Sequence, residues 1–202
     1  VHPKDMQDGK IPMSARDIST NLPFVEGVGV AFDHHSSETV RVGKRDNHII
    51  DPHAASAARV VYRHYGGAER FPDLPEGLME AVDKADSAQF SREEILSPKG
   101  WVLLNYLMDA RTGLGRFREF RISNYDLMMQ MIDACLQHSA EEILALPDVK
   151  ERVDLYQEHE AKFKDQLSRC ATVHANLVVL DLRKEQTIYA GNRFLIYALY
   201  PQ

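Results

Sequence analysis

The run Gly27-Val28-Gly29-Val30-Ala31-Phe32 is apolar throughout and stops at Asp33-His34-His35. A strand with one wet face carries a polar residue at every second position, so an unbroken apolar run implies burial on both faces. That is the pattern of a strand inside a parallel sheet covered by helices. Residues 17–21, ahead of the Leu22-Pro23 turn, read as a neighbouring strand. The expected fold class is therefore α/β, a parallel sheet flanked by helices. A helix is predicted over about 52–65, with Asp51 as its cap, Pro52 in its first turn and Gly66-Gly67 at its end. Others are predicted over 75–89, 98–111, 124–138 and 148–169, and Ser91-Arg92-Glu93-Glu94 has the spacing of a capping box. The long helix carries Val149, Val153, Tyr156, Phe163 and Leu167 on one stripe, which is ordinary packing. After His174 the pattern turns to strands over 176–182, 187–190 and 193–199, with Gly191-Asn192 as a turn, expected to begin a second, smaller α/β domain.

Chemistry concentrates at two places. Asp33, His34 and His35 stand where the buried strand ends, and ligands of open parallel sheets gather at that edge. Adjacent polar side chains there are costly unless paired or coordinated; the plain alternative is a loop with exposed histidines. Further on, Asp83 and Asp86 are three residues apart and share one helix face. Carboxylate and imidazole together suit Mn²⁺ or Mg²⁺ better than a thiolate zinc site, whereas a solvated face paired with Lys84 needs no metal.

Together these motifs resemble the DHH phosphoesterase superfamily, which includes exopolyphosphatases, nano-RNA phosphodiesterases and family II pyrophosphatases. Asp33-His34-His35 after an apolar strand is similar to its name-giving motif, and Asp86-Ser87-Ala88-Gln89-Phe90 to its later Asp-Thr-Gly-x-Phe motif. The resemblance implies that His34 and Asp86 are metal ligands. His35 would contact substrate or supply a proton, and Asp33 would orient the histidines. The family places a bridging carboxylate where this chain has Asn21, a neutral and poorer ligand. Asp83 has no clear counterpart. The family's first motif and its C-terminal Gly-Gly-Gly-His signature are both absent. The implied organisation is a catalytic domain over 1–140 lacking its first strand, a helical linker over 141–174, and the start of a substrate-binding domain over 175–202. A terminal strand at 193–199 would leave an unpaired edge. The expectation is thus a fragment, cut at both ends and catalytically incomplete.

The implied activity is metal-dependent hydrolysis of a phosphodiester or phosphoanhydride. Divalent ions, Mn²⁺ foremost and Mg²⁺ as the alternative, would activate water and neutralise phosphoryl charge. Substrates of that class are polyphosphate, short oligonucleotides or other phosphorylated small molecules. The rival is a non-catalytic phosphate- or nucleotide-binding module on a degenerate scaffold, for which Asn21 speaks; a structural single-metal site at His34 and Asp86 is a third reading. Arg111, Arg116 and Arg118 lie in a glycine-containing basic segment, 111–121, that reads equally as a phosphate-binding loop or as a helix-to-helix linker. Net charge is −6, against a globally basic nucleic-acid coat. Two cysteines, Cys135 and Cys170, cannot frame a disulfide scaffold, and no apolar run reaches membrane-spanning length. A cytoplasmic protein with no membrane partner is expected, and a homo-oligomer is left open.

Overall fold

The computed structural model describes residues 2–117 and 119–201, which form two compact units, Val1–Gln89 and Phe90–Gln202. The fold is α/β.

The first unit opens with α1 (Pro3–Gln7), started by Pro3 and by the His2 ring, which accepts from the Lys4 N–H. A three-stranded sheet follows, of β1 (Ile18–Thr20), β2 (Val30–Asp33) and β3 (His48–Ile50). All pairings are parallel with β2 in the centre: Ser19 stands beside Ala31, and Ala31 beside His48. Helices α2 (Ser36–Val42), α3 (Ala57–His64) and α4 (Leu78–Ser87) complete the unit. Phe32 packs with Ala54 and Val60 on one side of β2, while Ala31 packs with Phe24 and Val28 on the other. This two-sided burial is what the unbroken apolar run encodes.

The strand begins at Val30 rather than Gly27. Gly29 donates its N–H to the carbonyls of Ser14 and Asp17, and a Cβ there would lie 2.5 Å from the Ala15 oxygen. Backbone approaches this residue too closely for it to join the ladder. The following helix also starts later than expected. Asp51 binds the His53 N–H in a turn, and Ser56 caps α3 by accepting from Arg59 N. Helix α2 and strand β3 had no clear sequence signal. The buried residue of α2 is Glu38, while Val40 is 89% exposed, so apolar periodicity is inverted there. Glu38 accepts from Phe24 N at 2.9 Å, and Arg41 binds both Glu38 oxygens and the Phe24 carbonyl. The Arg41 hydrogen bond holds the Glu38 carboxyl below its ordinary value, against the opposing effect of burial. This clamp fixes the helix-free connection between β1 and β2.

The second unit contains α5 (Arg92–Leu96), α6 (Gly100–Met108), α7 (Asn124–Gln137), α8 (Ala140–Ala145) and α9 (Pro147–Cys170). They are followed by the antiparallel pair β4 (Ala171–His174) and β5 (Leu177–Leu180), then α10 (Leu195–Leu199). The Ser91–Glu94 capping box forms as expected. Leu103, Leu107, Leu127, Ile143, Val149, Val153 and Tyr156 share one core. The strands expected at 187–190 and 193–199 do not form. Asn192 accepts from Phe194 N and starts α10, whose Leu195 and Ala198 are buried while Tyr197 faces out. A three-residue spacing of buried positions is helical, and an apolar run this short does not distinguish helix from strand. The run therefore presents no unpaired strand edge. Gly191 is required beside this turn, because a Cβ would fall 2.0 Å from the Phe163 ring. Among the described residues no helix is long and apolar enough to cross a membrane.

Candidate active site

Asp33 is the last residue of β2 and fully buried. One oxygen, Oδ1, accepts from the His34 N–H at 2.8 Å, the His35 N–H at 3.3 Å and His35 Nδ1 at 2.7 Å. The other, Oδ2, is buried without a hydrogen-bond partner among the described residues. Asp33 thus turns the chain sharply at the sheet edge and fixes the His35 ring, leaving Nε2 on a half-exposed side chain.

The His34 ring points the other way. Its Nδ1 lies 3.1 Å from the Ala54 carbonyl, an acceptor only, so Nδ1 carries a proton and is the donor of that bond. Its Nε2 stands 3.1 Å from Asp86 Oδ2, within ion-pair distance, yet has no hydrogen bond of acceptable geometry among the described residues.

Asn21 lies just past β1, with φ +58, a left-handed conformation that asparagine tolerates better than most residues. Its N–H binds the Phe32 carbonyl at 2.9 Å, and its Nδ2 reaches Asp86 Oδ1 at 3.4 Å. Four of the residues singled out from the sequence, Asn21, Asp33, His34 and Asp86, therefore meet at the carboxyl edge of the sheet, with His35 beside them. Asn21 turns its amide NH₂ towards Asp86, so in this arrangement it supports the carboxylate.

The donor set of His34 Nε2 and Asp86 Oδ2, with the unpartnered Oδ2 of Asp33 nearby in sequence, fits a hard-to-borderline divalent cation. The fit is partial. Among the described residues no cluster of three or more His, Cys, Asp or Glu side chains forms a ready cation cage. Water and substrate oxygens would have to complete the coordination.

Asp83 is turned inward rather than solvated on an open helix face. It accepts from Ser56 Oγ at 2.6 Å and forms a two-pronged ion pair with Arg59. Its sequence signal was the three-residue spacing to Asp86; nothing local identified Ser56 or Arg59.

The arginine segment belongs to the second unit. Arg111 is paired with Asp109, and Arg116 donates to the carbonyls of Ile188 and Tyr189. Burial raises the affinity of Asp109 for a proton, but hydrogen bonds from Arg111 and Arg193 outweigh it and hold the carboxyl below its ordinary value. Arg118 lies outside the described residues. Arg152, which sequence reading passed over, is fully buried; it binds the Ile122 carbonyl and Asn124 Oδ1 and stacks on Phe120.

No family profile matches the chain, and no curated protein matches it. Among solved structures it is similar to PggH from Vibrio cholerae, a pGpG-specific phosphodiesterase. Sequence identity is 62% and the TM-score 0.87. The match covers 100% of this chain and 65% of that one.

Proposed function

We propose that this chain carries the metal-binding and proton-transfer residues of a DHH-type phosphodiesterase that cleaves a short linear dinucleotide such as pGpG. The observation that carries the proposal is the 62% identity with a pGpG-specific phosphodiesterase across the whole of this chain. The His34–Asp86 pair gives it a chemical basis.

His34 Nε2 and Asp86 would hold the divalent cation, Mn²⁺ or Mg²⁺. When bound, such a cation offsets phosphate charge and makes water more acidic. The protein's own residues do the rest. Asp33 orients His35 through Nδ1, so that Nε2 on the exposed side can deliver a proton to the departing ribose oxygen. Water oxygen bonds to phosphorus and releases its proton to solvent as the bond to that ribose oxygen breaks, and the ribose oxygen leaves with the proton from His35. Asn21 steadies Asp86 by its amide.

The test is a hydrolysis assay of the protein with pGpG, with and without Mn²⁺, beside polyphosphate and cyclic dinucleotide. Mn²⁺-dependent release of mononucleotide is expected, and His35→Gln should lower kcat by about 10²–10⁴ with Mn²⁺ affinity unchanged. Turnover insensitive to chelator, or preference for polyphosphate, would overturn it. The neutral amide at Asn21 favours one other reading, a phosphate-binding module without turnover; tight pGpG binding with no hydrolysis under any metal would establish that instead.

A further inference from the structure

We infer that Asp83 is a positioning residue, which sets the separation of His34 and Asp86 by tying α4 to the segment that orients the His34 ring. This rests on the proposed reading of that pair as cation ligands. Asp83 and Asp86 are one turn apart on α4. Asp83 Oδ1 takes the Ser56 hydroxyl at 2.6 Å, and its Oδ2 takes Arg59 Nε at 2.8 Å and Nη2 at 2.6 Å. Ser56 is itself fully buried and caps α3 through the Arg59 N–H. Two residues before Ser56 stands Ala54, whose carbonyl fixes His34 Nδ1.

These contacts close a ring. From Asp86 it runs along α4 to Asp83, across to Ser56, back along the chain to the Ala54 carbonyl, and through the imidazole to Nε2. Every link is covalent or a hydrogen bond except the last, where Nε2 faces Asp86 at 3.1 Å without one. No hydrogen bond of acceptable geometry closes this last link, so the rest of the ring sets its spacing.

Asp83 suits that task. A carboxylate gripped by the guanidinium fork and a hydroxyl has little rotational freedom. Its side chain is 18% exposed and that of Arg59 19%, so solvent screens the pair less than it would a surface ion pair. The Ala54 carbonyl does the companion job for His34, selecting the ring tautomer whose Nε2 is free to bind a cation. A staple between α3 and α4 with no positioning role would also stabilise the unit, but its loss would lower stability and leave the His34 tautomer and Mn²⁺ affinity as they are.

The experiment uses the whole chain, ¹⁵N-labelled and metal-free. Long-range proton–nitrogen spectra report which nitrogen of His34 carries the proton, and calorimetry with Mn²⁺ reports affinity. Asp83→Ala should mix in the Nε2–H tautomer and weaken Mn²⁺ binding by about tenfold or more, with Ser56→Ala showing a smaller shift of both. Asn47→Ala, which removes a 2.7 Å bond to the Val28 carbonyl in the same unit, is the stability control and should leave both readouts unchanged. A folded Asp83→Ala protein with wild-type tautomer and affinity would overturn the inference, as would equal shifts in the control. Should Asp83→Ala not fold, Asp83→Asn, which keeps the Ser56 bond and loses the ion pair, and Ser56→Ala decide by the same criteria. Absence of Mn²⁺ binding by the wild type would remove the metal reading of the pair, while the tautomer measurement would still judge the positioning role of Asp83.

Discussion

The carboxyl edge of the parallel sheet and the arginine segment around 111–121 both looked suited to phosphate chemistry, yet their side chains are used in opposite ways. At the sheet edge, His34 Nε2 and Asp33 Oδ2 are buried with no hydrogen-bond partner among the described residues, and Asp86 lies 3.1 Å from the former. In the arginine segment the described guanidinium groups have partners: Arg111 has Asp109, Arg116 has two carbonyls, and Arg121 lies 3.4 Å from Asp148. A buried polar atom without a hydrogen-bond partner costs free energy in the folded chain. Ser19 Oγ, both His48 nitrogens, the Tyr106 hydroxyl and Asp148 Oδ1 share that state among the described residues. What singles out the sheet edge is that His34 Nε2 also stands 3.1 Å from a carboxylate. A saturated arginine has no such debt. Composition and spacing cannot separate these cases; the groups that each side chain faces in the fold can.

The strongest way to break the comparison is His34→Ala. If unmet bonding capacity marks the working site, this change should abolish Mn²⁺ binding and Mn²⁺-dependent hydrolysis while the far-ultraviolet spectrum is retained. Persistent binding in calorimetry would move the site elsewhere. Next in size is Asn21→Asp. It sets a carboxylate where the amide NH₂ now lies 3.4 Å from Asp86, a repulsion that only a cation between them relieves. Mn²⁺ affinity should rise about tenfold, worth ~1.4 kcal/mol, and the metal-free protein should melt earlier. Unchanged affinity would confine Asn21 to its left-handed turn.

Arg116→Ala sharpens the other side. Loss of two carbonyl contacts by an exposed guanidinium should cost roughly 0.5–1.5 kcal/mol in urea unfolding, with KM for pGpG unchanged. A raised KM at unchanged stability would instead restore Arg116 to substrate binding. The smallest effect concerns pH. Arg41 holds Glu38 below its ordinary carboxyl value of 4.5, so the clamp contributes fully above that pH. Its contribution is lost as pH falls through the lower folded value, because protonation breaks the ion pair. Thermal melts of the wild type from pH 6 to 3 should show this loss, and Glu38→Gln should flatten it; parallel curves would remove Glu38 from the acid response.

Much of the site was legible before any fold was known, for a physical reason. A strand buried on both faces needs no polar residue, so the apolar run into Asp33-His34-His35 announces both its own burial and the edge where it stops. Capping is equally local, and Ser91 with Glu94 was readable within four residues. Other elements were hidden because tertiary contacts override local pattern. Helix α2 turns a glutamate inward, since Arg41 and the Phe24 backbone are there to receive it. The run 194–199 looks like a strand, but Asn192 and the packing of Leu195 and Ala198 make it a helix.

The sequence by itself determined that a central strand would carry an aspartate and two histidines to a sheet edge, because hydrophobic periodicity is a property of neighbours along the chain. Which side chains meet there was decided only by the tertiary structure. Asp86 reaches His34 because Asp83 grips Ser56 and Arg59, and because the Ala54 carbonyl turns one imidazole nitrogen outward. Likewise, Arg116 and Arg121 became structural when carbonyls and a carboxylate from distant segments closed on them, while Arg111 pairs with its neighbour Asp109. Hydrogen-bond partners far apart in sequence are chosen by packing, and no local pattern encodes them.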